Sequence, residues 1–70
     1  MAKNLRFAKW VRAYGVARLA RTLGVTRTAV QHWITKDPRR MPSRTNSRRI
    51  VSLSTVDPRE IGPLELEDIG

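Results

Sequence analysis

Cysteine is absent from the chain, and so is any long apolar run. Without thiols, neither a disulfide framework nor a thiolate metal site can stabilise a domain of 70 residues, which is near the lower end of what folds alone. Basic residues interrupt every apolar stretch near the N-terminus, so we expect neither a signal-peptide core nor the roughly 20 apolar residues of a membrane-spanning helix. We therefore expect a cytoplasmic chain that is stabilised by helix packing and by oligomerisation.

Groups that carry catalysis or bind metals are also few. The chain has one histidine, and no acidic residue precedes Asp37. The acids after position 56 have no histidine near them in the sequence, so it offers neither a hydrolytic pair nor a metal cluster. We expect no catalytic residue, no metal, no cofactor and no small-molecule substrate.

Positive charge is in excess, and it is unevenly placed. Residues 1–49 hold thirteen lysines and arginines against one acid, which gives +12. Residues 50–70 hold one arginine against five acids, which gives −4. This asymmetry predicts a basic domain over residues 1–56 that binds a polyanion. An acidic tail over residues 57–70 would point away from that polyanion and serve dimerisation or a protein partner.

Apolar residues at helical spacing predict three short helices, over about 5–14, 16–23 and 27–34, with an uncertainty of one residue at each end of the third. Gly24 follows the second helix where a left-handed residue would end it, which glycine allows at little steric cost. The hydroxyl of Thr26 is expected to cap the third helix. The expected structural core consists of Phe7, Trp10, Val11, Ala20, Leu23, Gly24, Val25, Val30 and Trp33.

The C-terminal part of the sequence allows two folds. A fourth helix that begins near Pro42 or Ser43 and ends at about Ser54 would complete an all-α bundle of four or five helices. The β-branched run at 49–56 could instead pair with the alternating residues 63–69 in a β-hairpin, which would give an α+β fold. We prefer the all-α fold and keep the hairpin as its alternative.

The two helices on either side of Gly24 have the pattern of a helix-turn-helix, in which the second helix enters the major groove of DNA. Arg27 can donate two hydrogen bonds to guanine, Gln31 can pair with adenine, and Thr28 can contact a base edge. The residues expected to contact bases are Arg27, Thr28, Gln31 and His32. Those expected to contact the DNA backbone are Arg18, Arg21, Thr26, Lys36, Arg39, Arg40 and Arg44, with Arg48 and Arg49 as further candidates.

Residues 7–36 resemble the helix-turn-helix of phage repressors of the Cro-type and lambda-repressor-like family. The matching residues are Ala20, Gly24, Val25, Val30 and Trp33, preceded by the Tyr14-Gly15 step. The segment from Met41 to Leu53 resembles the fourth helix of the all-helical Cro branch, whereas the other branch has a hairpin there. The resemblance implies a homodimer, at least on DNA, that binds a short palindromic operator in a bacterial cell and represses transcription.

Two other functions stay open. An antitoxin or phage-encoded modulator could bind DNA through the same motif and a protein through the acidic tail, whose alternating Leu and Glu could add a strand to a second subunit. A basic membrane-surface peptide is less favoured, because Gly15 and the turn at Gly24 interrupt the amphipathic pattern.

Overall fold

The computed structural model describes residues 5–35 and 41–69, and these residues form an all-α fold. The helices are α1 (Leu5–Tyr14), α2 (Val16–Leu23), α3 (Arg27–Ile34), α4 (Arg44–Val56) and α5 (Leu66–Ile69). The predicted all-α bundle is confirmed. The hairpin alternative is wrong, because both of its segments are mainly helical and the described residues contain no strand. No helix in that part of the chain has the length and apolar character needed to cross a membrane.

The corner between α2 and α3 is fixed by backbone hydrogen bonds. Gly24 has φ 73° and ψ 31°, the left-handed conformation predicted for it. Its N–H donates to the Arg21 carbonyl at 3.3 Å, and the Val25 N–H donates to the Ala20 carbonyl at 2.9 Å. This pair of bonds is a Schellman motif, which satisfies carbonyls that the end of a helix otherwise leaves free.

Side-chain oxygens cap the starts of α3 and α4. The Thr26 hydroxyl accepts a hydrogen bond from the Ala29 N–H at 3.0 Å, which confirms the predicted cap. Ser43 does the same for α4, accepting from the Asn46 N–H at 3.2 Å. Each cap satisfies one backbone donor of the first turn. Together they explain why α3 and α4 begin where they do.

The core lies between α1 and the other helices. Trp10 is fully buried and stacks on Tyr14, with 4.9 Å between ring centroids. Of the predicted core residues, Gly24 is exposed, because the corner needs its backbone conformation and it has no side chain to bury. Val25 is half-buried and packs against the core. The remaining predicted core residues are buried: Phe7, Trp10, Val11, Ala20, Leu23, Val30 and Trp33.

Residues 57–69 fold back onto α1 and α4. Leu64 and Ile69 are both almost fully buried in the core. The Leu64 N–H donates to the buried Ser54 hydroxyl at 2.8 Å, and the Trp10 indole N–H donates to the Asp57 carbonyl at 3.2 Å. The alternating Leu and Glu residues therefore do not form an edge strand. Helix α5 turns Ile69 inward, three residues after the exposed Leu66, and the segment shares the core of the basic domain.

Arg6 ties this acidic segment to α1. Its guanidinium donates to the Asp68 carboxylate at 3.1 Å and to the carbonyls of Ile61 and Pro63, each at 3.1 Å. The same Asp68 carboxylate accepts from the Glu65 N–H at 2.8 Å, just before α5. A charged donor bound to three acceptors fixes the path of residues 61–68 more tightly than an isolated surface ion pair would.

Candidate nucleic-acid interface

Helix α3 has one buried side and one exposed side. Val30 and Trp33 lie in the core. Arg27, Thr28 and Gln31 are exposed on the opposite side, as their spacing along a helix requires. The burial of Val30 and Trp33 therefore determines which side of α3 faces solvent.

Two local devices hold this exposed side in place. The left-handed Gly24 and its Schellman bonds set the direction in which the chain leaves α2, and the Thr26 cap starts α3 only three residues after α2 ends. Ala20 is buried between the helices, where a larger side chain would force them apart. Because the corner is short and is held by two backbone hydrogen bonds, α3 has little freedom to rotate against α2.

The exposed polar atoms of α3 are available to an external partner. Within residues 5–35 and 41–69, the side chains of Arg27, Thr28 and Gln31 make no hydrogen bond or ion pair with the rest of the protein. They offer a planar charged donor, a hydroxyl with a methyl group, and an amide with both donor and acceptor. That is a set of directional groups suited to reading a patterned polar surface.

His32 differs from the other three residues predicted to contact bases. It is half-buried, so only part of its surface faces outward. Its backbone carbonyl accepts a hydrogen bond from the Thr35 hydroxyl at 2.7 Å, which closes the C-terminal end of α3. We place it at the margin of the candidate interface rather than at its centre.

Several residues predicted to contact a nucleic-acid backbone are exposed. They are Arg18 and Arg21 on α2, Thr26 at the corner and Arg44 at the start of α4, together with the further candidates Arg48 and Arg49. The Thr26 hydroxyl already accepts the cap hydrogen bond, but its O–H remains a possible donor. Lys36, Arg39 and Arg40 lie outside the described residues.

Two arginines flank the ring of Tyr14, and sequence reasoning identified only one of them. The guanidinium carbon of Arg18 lies 4.5 Å from the ring centroid and that of Arg59 lies 5.6 Å from it. Arg59 also pairs with Asp57 at 3.0 Å and has a positive φ of 54°, a conformation that residues other than glycine rarely adopt. Arg59 was missed because it stands among acids in the sequence, where no helical pattern marks it.

Neither α2 nor α3 contains an acidic residue. Every acid in the described part of the chain lies between residues 57 and 68. A hydrogen bond that the protonated Glu65 carboxyl donates to Glu67, and then the negative charges of Glu67 and Asp68, raise the pKa of Glu65 above its usual value. The same residues hold no group of three histidine or acidic side chains that could bind a metal ion.

Comparison of the chain with known protein families, with curated proteins and with solved structures finds no match. Its function is therefore inferred from the chemistry and geometry of its own residues.

Proposed function

We propose that the protein is a sequence-specific, double-stranded DNA-binding repressor that inserts α3 into the major groove. The observation that supports this most strongly is the exposed, unpaired set of Arg27, Thr28 and Gln31 on a helix whose other side is buried. A recognition helix needs this division, because it must be gripped by the domain while its polar side reaches base edges.

The three side chains match the chemistry of the major groove. An arginine donates twice to guanine O6 and N7, and a glutamine pairs with adenine N6 and N7. A threonine methyl fits against the methyl group of thymine. Because Arg27 and Thr28 lie in the first turn of α3 and Gln31 in the next, one helix can read neighbouring base pairs.

Charge supplies the part of the affinity that does not depend on sequence. The exposed Arg18, Arg21 and Arg44 form no ion pair within the described residues, so their charges are available to neutralise phosphates. Each phosphate that is neutralised releases counterions, and binding should weaken steeply as salt is raised. The repressor role and the palindromic operator rest on the resemblance to Cro-type proteins, in which a dimer blocks a promoter by occupying it.

Selection of bound duplexes from a random pool, at two salt concentrations, tests the proposal. We expect enrichment of an inverted repeat with half-sites about one helical turn (34–36 Å) apart. The double variant Arg27→Ala/Gln31→Ala should lose that enrichment. The control Arg12→Ala removes an exposed arginine from α1 and should keep it. Equal retention of all sequences by the unaltered protein would overturn the proposal.

A further inference from the structure

An open cleft of about 610 Å³ lies between the C-terminal end of α2 and one side of α4, and we call it the α2–α4 cleft. On α4 it runs from Thr45 to Val56, which is about 17 Å along the helix axis. None of the described residues that line it belongs to α3, so it is distinct from the candidate nucleic-acid interface on that helix. Its volume falls in the range of roughly 300–1,000 Å³ that is typical of binding pockets.

The cleft has an apolar half and a basic half. The C-terminal half of its α4 wall carries Leu53 and Val56, and Leu23 of α2 also lines the cleft. Val56 is 85% exposed, so a large apolar side chain faces solvent at this end. The N-terminal half of the α4 wall carries Arg48 and Arg49, both exposed. The two halves therefore require different chemistry from anything that fills the cleft.

The two arginines of the cleft are not neutralised by the protein. Within residues 5–35 and 41–69, the side chains of Arg48 and Arg49 form no ion pair or hydrogen bond. None of the described residues that line the cleft is acidic, and neither α2 nor α4 contains an acid. Arg44 adds positive charge at the same end of α4. The basic half therefore attracts carboxylates.

A DNA duplex and a second copy of the chain each fit only part of this surface. The backbone of a duplex offers phosphates to the arginines and leaves Leu53 and Val56 without an apolar contact. A second copy that docked by the same face would bring arginines and no acid, which leaves all four arginines unneutralised. A ligand that matches both halves is acidic at one end and apolar at the other. An open cleft of this length suits a helix, whereas a small molecule needs most of its surface enclosed.

We propose that the α2–α4 cleft binds an acidic amphipathic helix of another protein. The helix lies along α4, with its carboxylates on Arg48 and Arg49 and its apolar residues on Leu53 and Val56. The midpoints of these two pairs are six residues apart on α4, so the partner's acidic and apolar residues are separated by about 9 Å, or nearly two helical turns. Apolar anchors in the groove supply affinity, and the charges fix the orientation.

The inference goes beyond the proposed function and does not depend on it. Arg48 and Arg49 are also candidates for contact with DNA phosphates, and a partner that binds both would withdraw them from a duplex. On the proposed function, the partner therefore lowers the affinity for DNA without contacting α3.

Binding of a synthetic peptide to the full chain, without DNA, tests the cleft. The probe is a fluorescein-labelled helix of about 15 residues on an alanine background. It carries two glutamates and two leucines at the same spacing as the two arginines and the two apolar residues of α4. We expect saturable binding, measured by fluorescence anisotropy, that weakens about tenfold when the glutamates are replaced by glutamines or the leucines by serines. No saturable binding into the millimolar range, or equal binding of all three peptides, overturns the proposal.

Substitutions at exposed positions locate the peptide on the protein. Val56→Gln should weaken its binding by about five- to tenfold, because an apolar contact is lost. The matched control is Leu66→Gln, the same change at an exposed apolar residue outside the cleft, which should leave binding unchanged. Arg48→Gln should weaken binding by about fivefold, and Arg12→Gln, which alters an exposed arginine of α1, should not. Equal losses in a variant and its control would show non-specific attraction to a basic protein and overturn the proposal.

Two further measurements distinguish the other occupants. Val56→Gln should bind a duplex with one selected half-site as the wild type does, because DNA does not use the apolar half of the cleft. Loss of duplex binding in this variant would assign the cleft to DNA. In sedimentation equilibrium, a wild-type dimer that Val56→Gln dissociates would show that a second copy covers the cleft. Either result overturns the inference.

The peptide and the duplex together separate this inference from the proposed function. A wild-type chain that binds the peptide and no duplex contradicts the proposed function and leaves the cleft assignment standing. A chain that binds the selected duplex and not the peptide overturns the cleft assignment alone.

Discussion

The corner from α2 to α3 and the segment 57–69 treat polar groups in opposite ways. In the segment, polar groups bind other parts of the chain: Asp68 pairs with Arg6, the Asp57 carbonyl accepts from Trp10, and the Leu64 N–H donates to Ser54. On α3, the exposed side chains of Arg27, Thr28 and Gln31 form no hydrogen bond or ion pair within the described residues. The comparison teaches that one region uses its polar groups to hold the fold, whereas the other leaves three polar side chains unpaired, as the proposed DNA-reading role requires.

Arginine alone illustrates the contrast. Arg6 donates to three acceptors of the C-terminal segment and is committed to structure. Arg27 has the same donors on a rigid helix and no internal acceptor. Net charge cannot distinguish these two arginines, because both lie in the basic part of the sequence. The number of acceptors that each one binds in the folded chain does distinguish them.

The largest expected effect tests whether the C-terminal segment belongs to the core. Leu64→Ala should lower the free energy of unfolding by about 2–5 kcal/mol, because it removes a side chain that is 2% exposed. Leu66→Ala, at 48% exposed, is the matched control and should cost far less. Urea unfolding followed by circular dichroism measures both. Equal small losses would mean that the segment is a dispensable tail.

The second prediction concerns affinity rather than stability. Gln31→Ala should weaken binding to the selected operator by about 1–3 kcal/mol and relax the preference at one base pair. Arg21→Ala should weaken binding to all sequences alike and reduce the salt slope by about one. Fluorescence anisotropy at several salt concentrations distinguishes the two. If both variants gave the same sequence-independent loss, α3 would not be the helix that reads bases.

The third prediction compares one substitution in the two regions. Gly24 and Gly62 both have positive φ, at 73° and 89°, so an alanine at either position is strained by roughly 1–2 kcal/mol. In Gly24→Ala the strain acts on the direction of α3, and DNA affinity should fall together with stability. Gly62→Ala should lower stability alone, a difference that thermal unfolding and duplex titration reveal. Unchanged DNA binding in Gly24→Ala would show that the corner does not position the reading face.

The smallest effect concerns titration of the acidic segment. Glu67→Ala removes both leading causes of the raised pKa of Glu65, a hydrogen bond and a charge–charge repulsion, so that pKa should fall toward its usual value. A carboxyl whose pKa is higher in the folded state binds protons more readily there. The ionised Glu65 carboxylate therefore destabilises the fold at pH values above its folded-state pKa. This effect fades as the pH falls through that pKa. Titration followed by NMR of the Glu65 carboxyl checks the direction, and an unchanged pKa would contradict it.

Local signals were sufficient to predict the first half of the fold. The stripes of α1 and α2, the left-handed Gly24 and the Thr26 cap each depend on residues within a few positions of one another. Helix α4 was also predicted, although it extends two residues beyond Ser54 to Val56. Periodicity and capping are short-range properties, and a single sequence displays them.

The C-terminal segment could not be predicted in the same way. Its path depends on contacts between residues far apart in the sequence, such as Arg6 with Asp68 and Trp10 with Asp57. Its alternating Leu and Glu match a strand over only a few residues, and packing against α1 overrode that weak preference. The exposure of Arg27, Thr28 and Gln31 agrees with the predicted reading face, whereas half-burial of His32 depends on packing that the sequence does not display.

The corner at Gly24, held by two backbone hydrogen bonds, has a consequence for the DNA that the protein is proposed to bind. A protein whose reading helix cannot tilt must leave the adjustment of fit to its partner. DNA supplies that adjustment unevenly, because pyrimidine–purine steps kink readily while A-tracts resist bending. On the proposed function, base pairs that no side chain touches would then influence affinity through their flexibility, and the rigid corner would produce a preference for flexible steps between the half-sites.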